Sequence, residues 1–445
     1  MELTRIVLDK LIRWSQRPNR KPLLLQGARQ TGKTWLMQAL GKTFKYTAYF
    51  DFASQPELQK VFEQTRDPKV ILNGLRLFSD VPIEAGNTLI IFDEIQLCDM
   101  AFGSLKYFAQ NAPEYAIVAG GSLLGVEVKR KNIFVPVGQI DIIRVMPLSF
   151  SEFLLNSNSK LFDVLNSLED IKPLESYITP LIEREYLRYL CVGGMPAAVS
   201  ALLDGESISR VDEILENILA LYRLDFSQYA TPTESMRISS VWDAIPGQLA
   251  KKNSRFFFSQ VAKGARGREY APAIQWLCDA GLVMRVNKIS TPNMPLAAYL
   301  EPDFFKVYAT DIGLLRRMAK LPAEVILNKG DNFKEFKGAL TGNYVAISLI
   351  EQLGFEPSYW TSGSTAEVDF ILQHRENIFP LAVKAGENLA GKSLSVYQSK
   401  FDPKLALRLS MKNLLLNGKI LNIPLPLADW TLKLAELAVK QSVSD

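Results

Sequence analysis

The chain has 445 residues, with 51 Lys and Arg against 47 Asp and Glu and a formal charge of +4. A long, nearly neutral chain with 48% hydrophobic residues can fill several cores, which excludes a disordered or polyelectrolyte protein. At roughly 100 to 200 residues per domain, the length predicts about two to four domains. One histidine, His374, leaves no two-His zinc helix and no His-rich metal centre, and its place between Gln373 and Arg375 predicts a surface position. Cys98, Cys191 and Cys278 stand far apart and never pair at a metal-ligand spacing, so a reducing, cytoplasmic compartment is expected. No apolar run reaches the 18 or so residues of a membrane span, and no membrane partner is expected.

In chain order, residues 1 to 21 read as an amphipathic helix. From about residue 20 to 147, apolar runs at 22–26, 46–52, 88–92, 115–120 and 139–146 alternate with helical stretches, the pattern of a parallel α/β sheet. From Pro147 to about Asp204 the pattern is helical, opening on Ser149 as an N-cap with Glu152 in the first turn and broken at Gly193-Gly194-Met195-Pro196. Residues 205 to 325 are helical and then show strands at 281–286 and 297–300, which predicts a winged helix. After a polar linker near 328–332 come a helix (337–353) and strands at 357–360, 367–372 and 379–383. The expected domains are 1–147, 148–204 (a helical lid), 205–327 (winged-helix-like) and 333–445 (a third α/β unit).

Directly after the strand Leu23-Leu24-Leu25 comes Gly27-Ala28-Arg29-Gln30-Thr31-Gly32-Lys33-Thr34, which fits G-x-x-x-x-G-K-[ST] at every fixed position. Such a loop curls backbone N–H groups round phosphates, sends Lys33 to the β and γ oxygens, and offers the Thr34 hydroxyl to Mg²⁺. Leu89-Ile90-Ile91-Phe92-Asp93-Glu94 is an apolar strand ending in two acids: Asp93 supports the metal, and Glu94 orients and deprotonates the attacking water. A third strand ends at Ser122, either a sensor of the γ-phosphate or a helix cap. The turn 193–196 reads either as bringing the lid to the nucleotide or as a plain helix break.

With these segments, the chain resembles prokaryotic AAA-type ATPases that join an N-terminal P-loop domain to a region of unknown function called DUF4143. The resemblance also rests on Asp93-Glu94-Ile95-Gln96, the stretches 146–153 and 193–196, Ile245-Pro246-Gly247-Gln248-Leu249-Ala250, Tyr308-Ala309-Thr310-Asp311-Ile312-Gly313-Leu314-Leu315 and Phe336-Lys337-Gly338-Ala339-Leu340. It implies ATP binding and hydrolysis in an ASCE-type sheet, a winged-helix-like middle, and a C-terminal unit similar to PD-(D/E)xK nucleases.

The departures from that family matter. Gln139 stands where members carry a basic residue, leaving Arg130 and Arg144 as the nearby candidates for an arginine finger. In the C-terminal unit Asp369 and Lys384 remain, but Ala382 and Gly342 replace two acids, so cleavage is not expected. Glu367, on the same strand face as Asp369, is the one residue placed to compensate. The cations Lys251, Lys252, Arg255, Lys263, Arg266 and Arg268 suit either double-stranded DNA or a solvated face, and winged helices also dock proteins. The expected function is an Mg²⁺-dependent ATP hydrolase that switches its C-terminal domains. The alternative is a nucleotide-gated module that binds DNA or protein with little turnover, and an ATP-dependent nuclease ranks below both. The oligomeric state is left open.

Overall fold

A computed structural model of the chain describes residues 2–444 except 124, 128–137, 252–254, 329–333, 364–365 and 386–391. Arg130 and Lys252, and most of the linker at 328–332, lie outside the described residues. The chain forms two compact units: Arg5–Met146 with Gln275–Leu282, and Met1–Thr4 with Pro147–Ile274 and Val283–Asp445.

The first unit is built on five strands: β1 (Leu23–Gln26), β2 (Tyr46–Asp51), β3 (Thr88–Asp93), β4 (Ala116–Gly120) and β5 (Asp141–Arg144). All pair in parallel, in the order β2-β3-β4-β1-β5, so β4 lies between the strand that precedes the glycine-rich loop and the strand that ends in two acids. The continuous apolar character of β1, β3 and β4 follows from burial on both faces, while the edge strands β2 and β5 are partly exposed. Along β3 the side chains alternate, as strand geometry requires: Ile90 and Phe92 enter the core that includes Leu72 and Phe102, while Leu89 and Ile91 enter the one that includes Leu11 and Leu36. Each such side chain contributes on the order of 1.5–3 kcal/mol through burial. The parallel order brings the carboxyl ends of β1, β3 and β4 to one edge, the place where open α/β sheets bind ligands.

The second unit combines helices with an eight-stranded mixed sheet. Its strands are β6 (Val283–Ile289), β7 (Leu300–Ala309), β8 (Ser358–Thr361), β9 (Glu367–His374), β10 (Asn377–Lys384), β11 (Ala406–Ser410), β12 (Leu415–Asn417) and β13 (Ile420–Pro424). The order is β12-β13-β11-β10-β9-β8-β6-β7, so the antiparallel β6–β7 hairpin joins the C-terminal strands through a parallel pairing of β6 with β8. The second strand of that hairpin is not 297–300. Leu296–Tyr299 is a turn of 3-10 helix, and the strand is β7. Pro302, Asp303 and Lys306 interrupt the apolar signal of β7, which hides it from a hydropathy reading.

Three separated segments meet inside this unit. Ser149 caps the helix Phe150–Ser157 by accepting the Glu152 amide, and just before it the Leu148 amide donates to the Gly194 carbonyl at 2.7 Å. A Cβ at Gly194 would lie 1.9 Å from the Leu148 carbonyl oxygen, so only glycine fits there. The Asp311 carboxylate accepts the amides of Gly194 (2.6 Å) and Leu314 (2.8 Å). The turn 193–196 is thus fastened to Leu148 and Asp311. Desolvation pushes the Asp311 carboxyl up to about 6 against the pull of these amides. His374 is half-buried on β9 and bonded to Glu436 at 2.6 Å, which corrects the expectation of a plain surface residue.

Candidate nucleotide site

The loop between β1 and the helix Lys33–Gly41 takes its shape from two glycines and an unusual glutamine. Gln30 (φ 67°) and Gly32 (φ 89°) adopt left-handed backbone, and Gly32 caps the helix. A Cβ at Gly27 would lie 2.2 Å from the Val145 carbonyl oxygen, so the loop can hug the chain that follows β5 only as glycine. The Thr31 hydroxyl donates to the Ala28 carbonyl at 3.0 Å, and Ala28 is buried. Thr34 is exposed in the first turn of the helix, where N–H groups and a hydroxyl face outward together. Arg29 is half-buried and Gln30 exposed.

Lys33 is 8% exposed, and its ammonium donates to the carbonyls of Gly27 (3.1 Å) and Ala28 (2.7 Å). Burial lowers its pKa to about 8, partly offset by Glu94 and Asp93. The lysine is thus held by weak acceptors in a poorly solvated place, where an anion would gain most from pairing with it.

At the end of β3, buried Asp93 accepts the Tyr49 hydroxyl at 2.7 Å and the Glu94 amide at 3.0 Å. Burial and the bond to Asp93 raise the Tyr49 phenol well above its usual value, so it stays a donor. Glu94 has left-handed backbone (φ 50°), and its carboxylate accepts the Ser122 hydroxyl at 3.0 and 3.1 Å, the Ser122 amide at 3.3 Å and the Gln96 side-chain amide. Of the two roles weighed for Ser122, helix cap or phosphate sensor, the geometry adds a third, a partner for the second acid of β3.

Buried Arg5 is a further member of the site. Its guanidinium donates to the carbonyls of Thr31 (3.0 Å) and Met146 (2.8 Å), tying the loop to the chain just before Pro147. Gly281 lies against the backbone of Ala28 from the other side. Sequence reasoning misses Arg5 and Tyr49, and it names Gln96 only within the stretch Asp93-Glu94-Ile95-Gln96, without a role. Arg144 is exposed at the end of the edge strand β5. Among the described residues no group of three or more His, Cys, Asp or Glu side chains is arranged to hold a metal by itself. The donors that do stand here, the Thr34 hydroxyl and the Asp93 carboxylate, are hard oxygens, the type and small number that Mg²⁺ takes when phosphates and water complete its shell.

A parallel sheet with a G-x-x-x-x-G-K-T loop after β1 and an acidic pair ending β3, one strand away, defines a P-loop nucleotide-binding protein. Residues 19–154 match the AAA domain family, residues 183–325 a domain of unknown function (DUF8612), and residues 337–428 a domain of unknown function (DUF4143). The chain thus carries an AAA domain in its N-terminal part and a DUF4143 domain in its C-terminal part. The structure is similar to the Walker-type ATPase of Pyrococcus abyssi, with 14% identity, a TM-score of 0.44 and coverage of 72% of this chain and 96% of that one. It is similar also to the Aeropyrum pernix ORC2 protein in its ADPNP–ADP complexes (13% identity, TM-score 0.37, 76% and 94% covered). A third likeness is to the Aeropyrum pernix ORC1 protein in complex with DNA (14%, TM-score 0.27, 74% and 92%). Scores this low carry no functional weight. No curated protein matches the chain. Among the described residues no helix is long and apolar enough to cross a membrane.

Proposed function

We propose that the chain hydrolyses ATP with Mg²⁺ and uses its nucleotide state as a switch for the segments after residue 147. The observation that carries this reading is the convergence of buried Lys33 and Asp93 with partly exposed Glu94 at one edge of the parallel sheet, within a domain that matches the AAA family. In it, the loop amides from Gly27 to Thr34 hold the phosphates, and the Lys33 ammonium exchanges its two carbonyl acceptors for phosphate oxygens. Thr34 and Asp93 would hold the metal, Asp93 kept in place by Tyr49. When bound, Mg²⁺ neutralises the charge that builds on the transferred phosphoryl group. Glu94 must leave Ser122 and Gln96 to orient and deprotonate the attacking water, so these bonds hold the base out of position until the nucleotide draws Ser122 away.

The switch has a short route. Arg5 joins the Thr31 carbonyl to that of Met146, and both residues flank points where the chain leaves this unit. A loop that shifts on binding phosphate moves those bonds first. The domain assignment 1–147, 148–204, 205–327 and 333–445, with a winged-helix-like third part, belongs to this proposal. Exposed Lys263, Arg266 and Arg268 favour double-stranded DNA as the partner. The test is steady-state ATP hydrolysis by the full chain at low salt, with and without duplex DNA. DNA-stimulated turnover is expected, and it should fall when the three cations become Ala. Turnover indifferent to DNA points to a protein partner, and nucleotide binding with no turnover would favour the gated binding module.

A further inference from the structure

A cavity of about 560 Å³ opens in the second unit, lined by Lys251, Tyr308, Gly342, Glu367, Asp369 and Val383 among others. Glu367 and Asp369 are two residues apart on β9 and so share one face of the sheet. Two carboxylates in one pocket repel each other unless a cation sits with them.

That cation is already present in the chain. Lys306, on β7, has a side chain 1% exposed and forms an ion pair with the Glu367 carboxylate. Its ammonium lies 4.7 Å from the centroid of the Tyr359 ring, on β8, and so is held by a carboxylate and an aromatic face together. Asp369 lines the pocket, partly buried, and accepts the Val383 amide at 2.8 Å. Burial raises its pKa, and the positive charge of Lys306 opposes that rise. The neighbouring carboxylates hold Lys306 firmly protonated despite its burial.

We propose that Lys306 is the resident cation of the Glu367–Asp369 pair, standing where a divalent metal ion would otherwise bind, so that this pocket takes no divalent ion in the native chain. An ammonium suits the donor set better than a metal. It needs only acceptors, whereas Mg²⁺ or Mn²⁺ demands about six oxygen ligands and is slow to shed its water. Gly342, in the lining of the same pocket, offers no oxygen from a side chain, and Lys384 adds a second positive charge that acts on Asp369. Glu367 is therefore not a spare metal ligand. It is already committed to Lys306.

The experiment is Mn²⁺ titration of the full chain, followed by the paramagnetic resonance of the free ion. Wild type and Asp369→Asn should bind the same number of ions, because the ions they bind sit elsewhere. Lys306→Met should gain one site that wild type lacks, and adding Asp369→Asn should abolish it. Lys306→Arg, which keeps the cation, should gain none. An ion lost from wild type on Asp369→Asn would overturn the proposal, as would a folded Lys306→Met that gains nothing. If Lys306→Met does not fold, the wild-type and Asp369→Asn comparison still decides.

Discussion

Two places in this chain set a buried lysine beside two carboxylates, with opposite results. At the nucleotide loop, Lys33 rests on backbone carbonyls while Asp93 and Glu94 are engaged by Tyr49, Ser122 and Gln96, and its pKa drops to about 8. In the C-terminal sheet, Lys306 is bonded directly to Glu367, and its pKa rises. Residue types alone do not separate these sites. What differs is whether the acids are free to face the ammonium. A lysine whose acids are occupied elsewhere is poised to accept a new anion, and a lysine already paired is locked into the fold.

The largest expected effects break the comparison in both directions. Lys33→Met should weaken ATP binding by about 100-fold or more, since it removes charge-assisted bonds to phosphate, without lowering the unfolding free energy. Lys306→Met should do the reverse. It strands Glu367 and Asp369 without their cation and should cost about 3 kcal/mol of stability, read from urea midpoints, with ATP affinity unchanged.

Asp311 extends the comparison to a buried acid held mainly by backbone amides. Asp311→Ala leaves the Gly194 and Leu314 amides without acceptors and should destabilise the second unit by about 2 kcal/mol. Because its folded pKa, about 6, is above the value of a free Asp, the charged form costs stability. The cost is absent below the unfolded value and complete above about pH 6. Asp311→Ala should therefore lower stability least at neutral pH and most under mild acid.

The Lys33 shift has its own signature. Phosphate pairing raises its pKa from about 8, so binding takes up protons above neutrality. ATP affinity should be greatest below pH 8 and decline as pH rises through that value. Calorimetry in two buffers of different ionisation enthalpy measures the uptake directly. The smallest expected effect is that of Gln96→Ala, which releases one bond on Glu94 and should raise basal turnover about two- to fivefold with ATP affinity unchanged.

Much of the nucleotide site is legible in the sequence because its parts are contiguous: a loop of fixed spacing and an acidic pair closing an apolar strand. That its strands run parallel follows from the alternation of strands and helices. What stays hidden depends on long-range approach. Arg5 reaches the loop from 26 residues away, and Tyr49 reaches Asp93 across 44. The C-terminal sheet is harder still. Lys306 and Glu367 are 61 residues apart, and Lys306 reads as an interruption in a strand until its partner is in view. β11 to β13 are short strands that sequence reasoning does not pick out, although Asp402-Pro403 and Asn417-Gly418 mark turns beside them.

The central claim is that Glu94 is the catalytic base of a working ATPase. The most direct test is the steady-state ATP hydrolysis rate of wild type and Glu94→Gln, with nucleotide affinity measured on the same preparations. A loss of turnover on the order of 10²–10⁴-fold with affinity retained is predicted. Equal rates in the two proteins would contradict it.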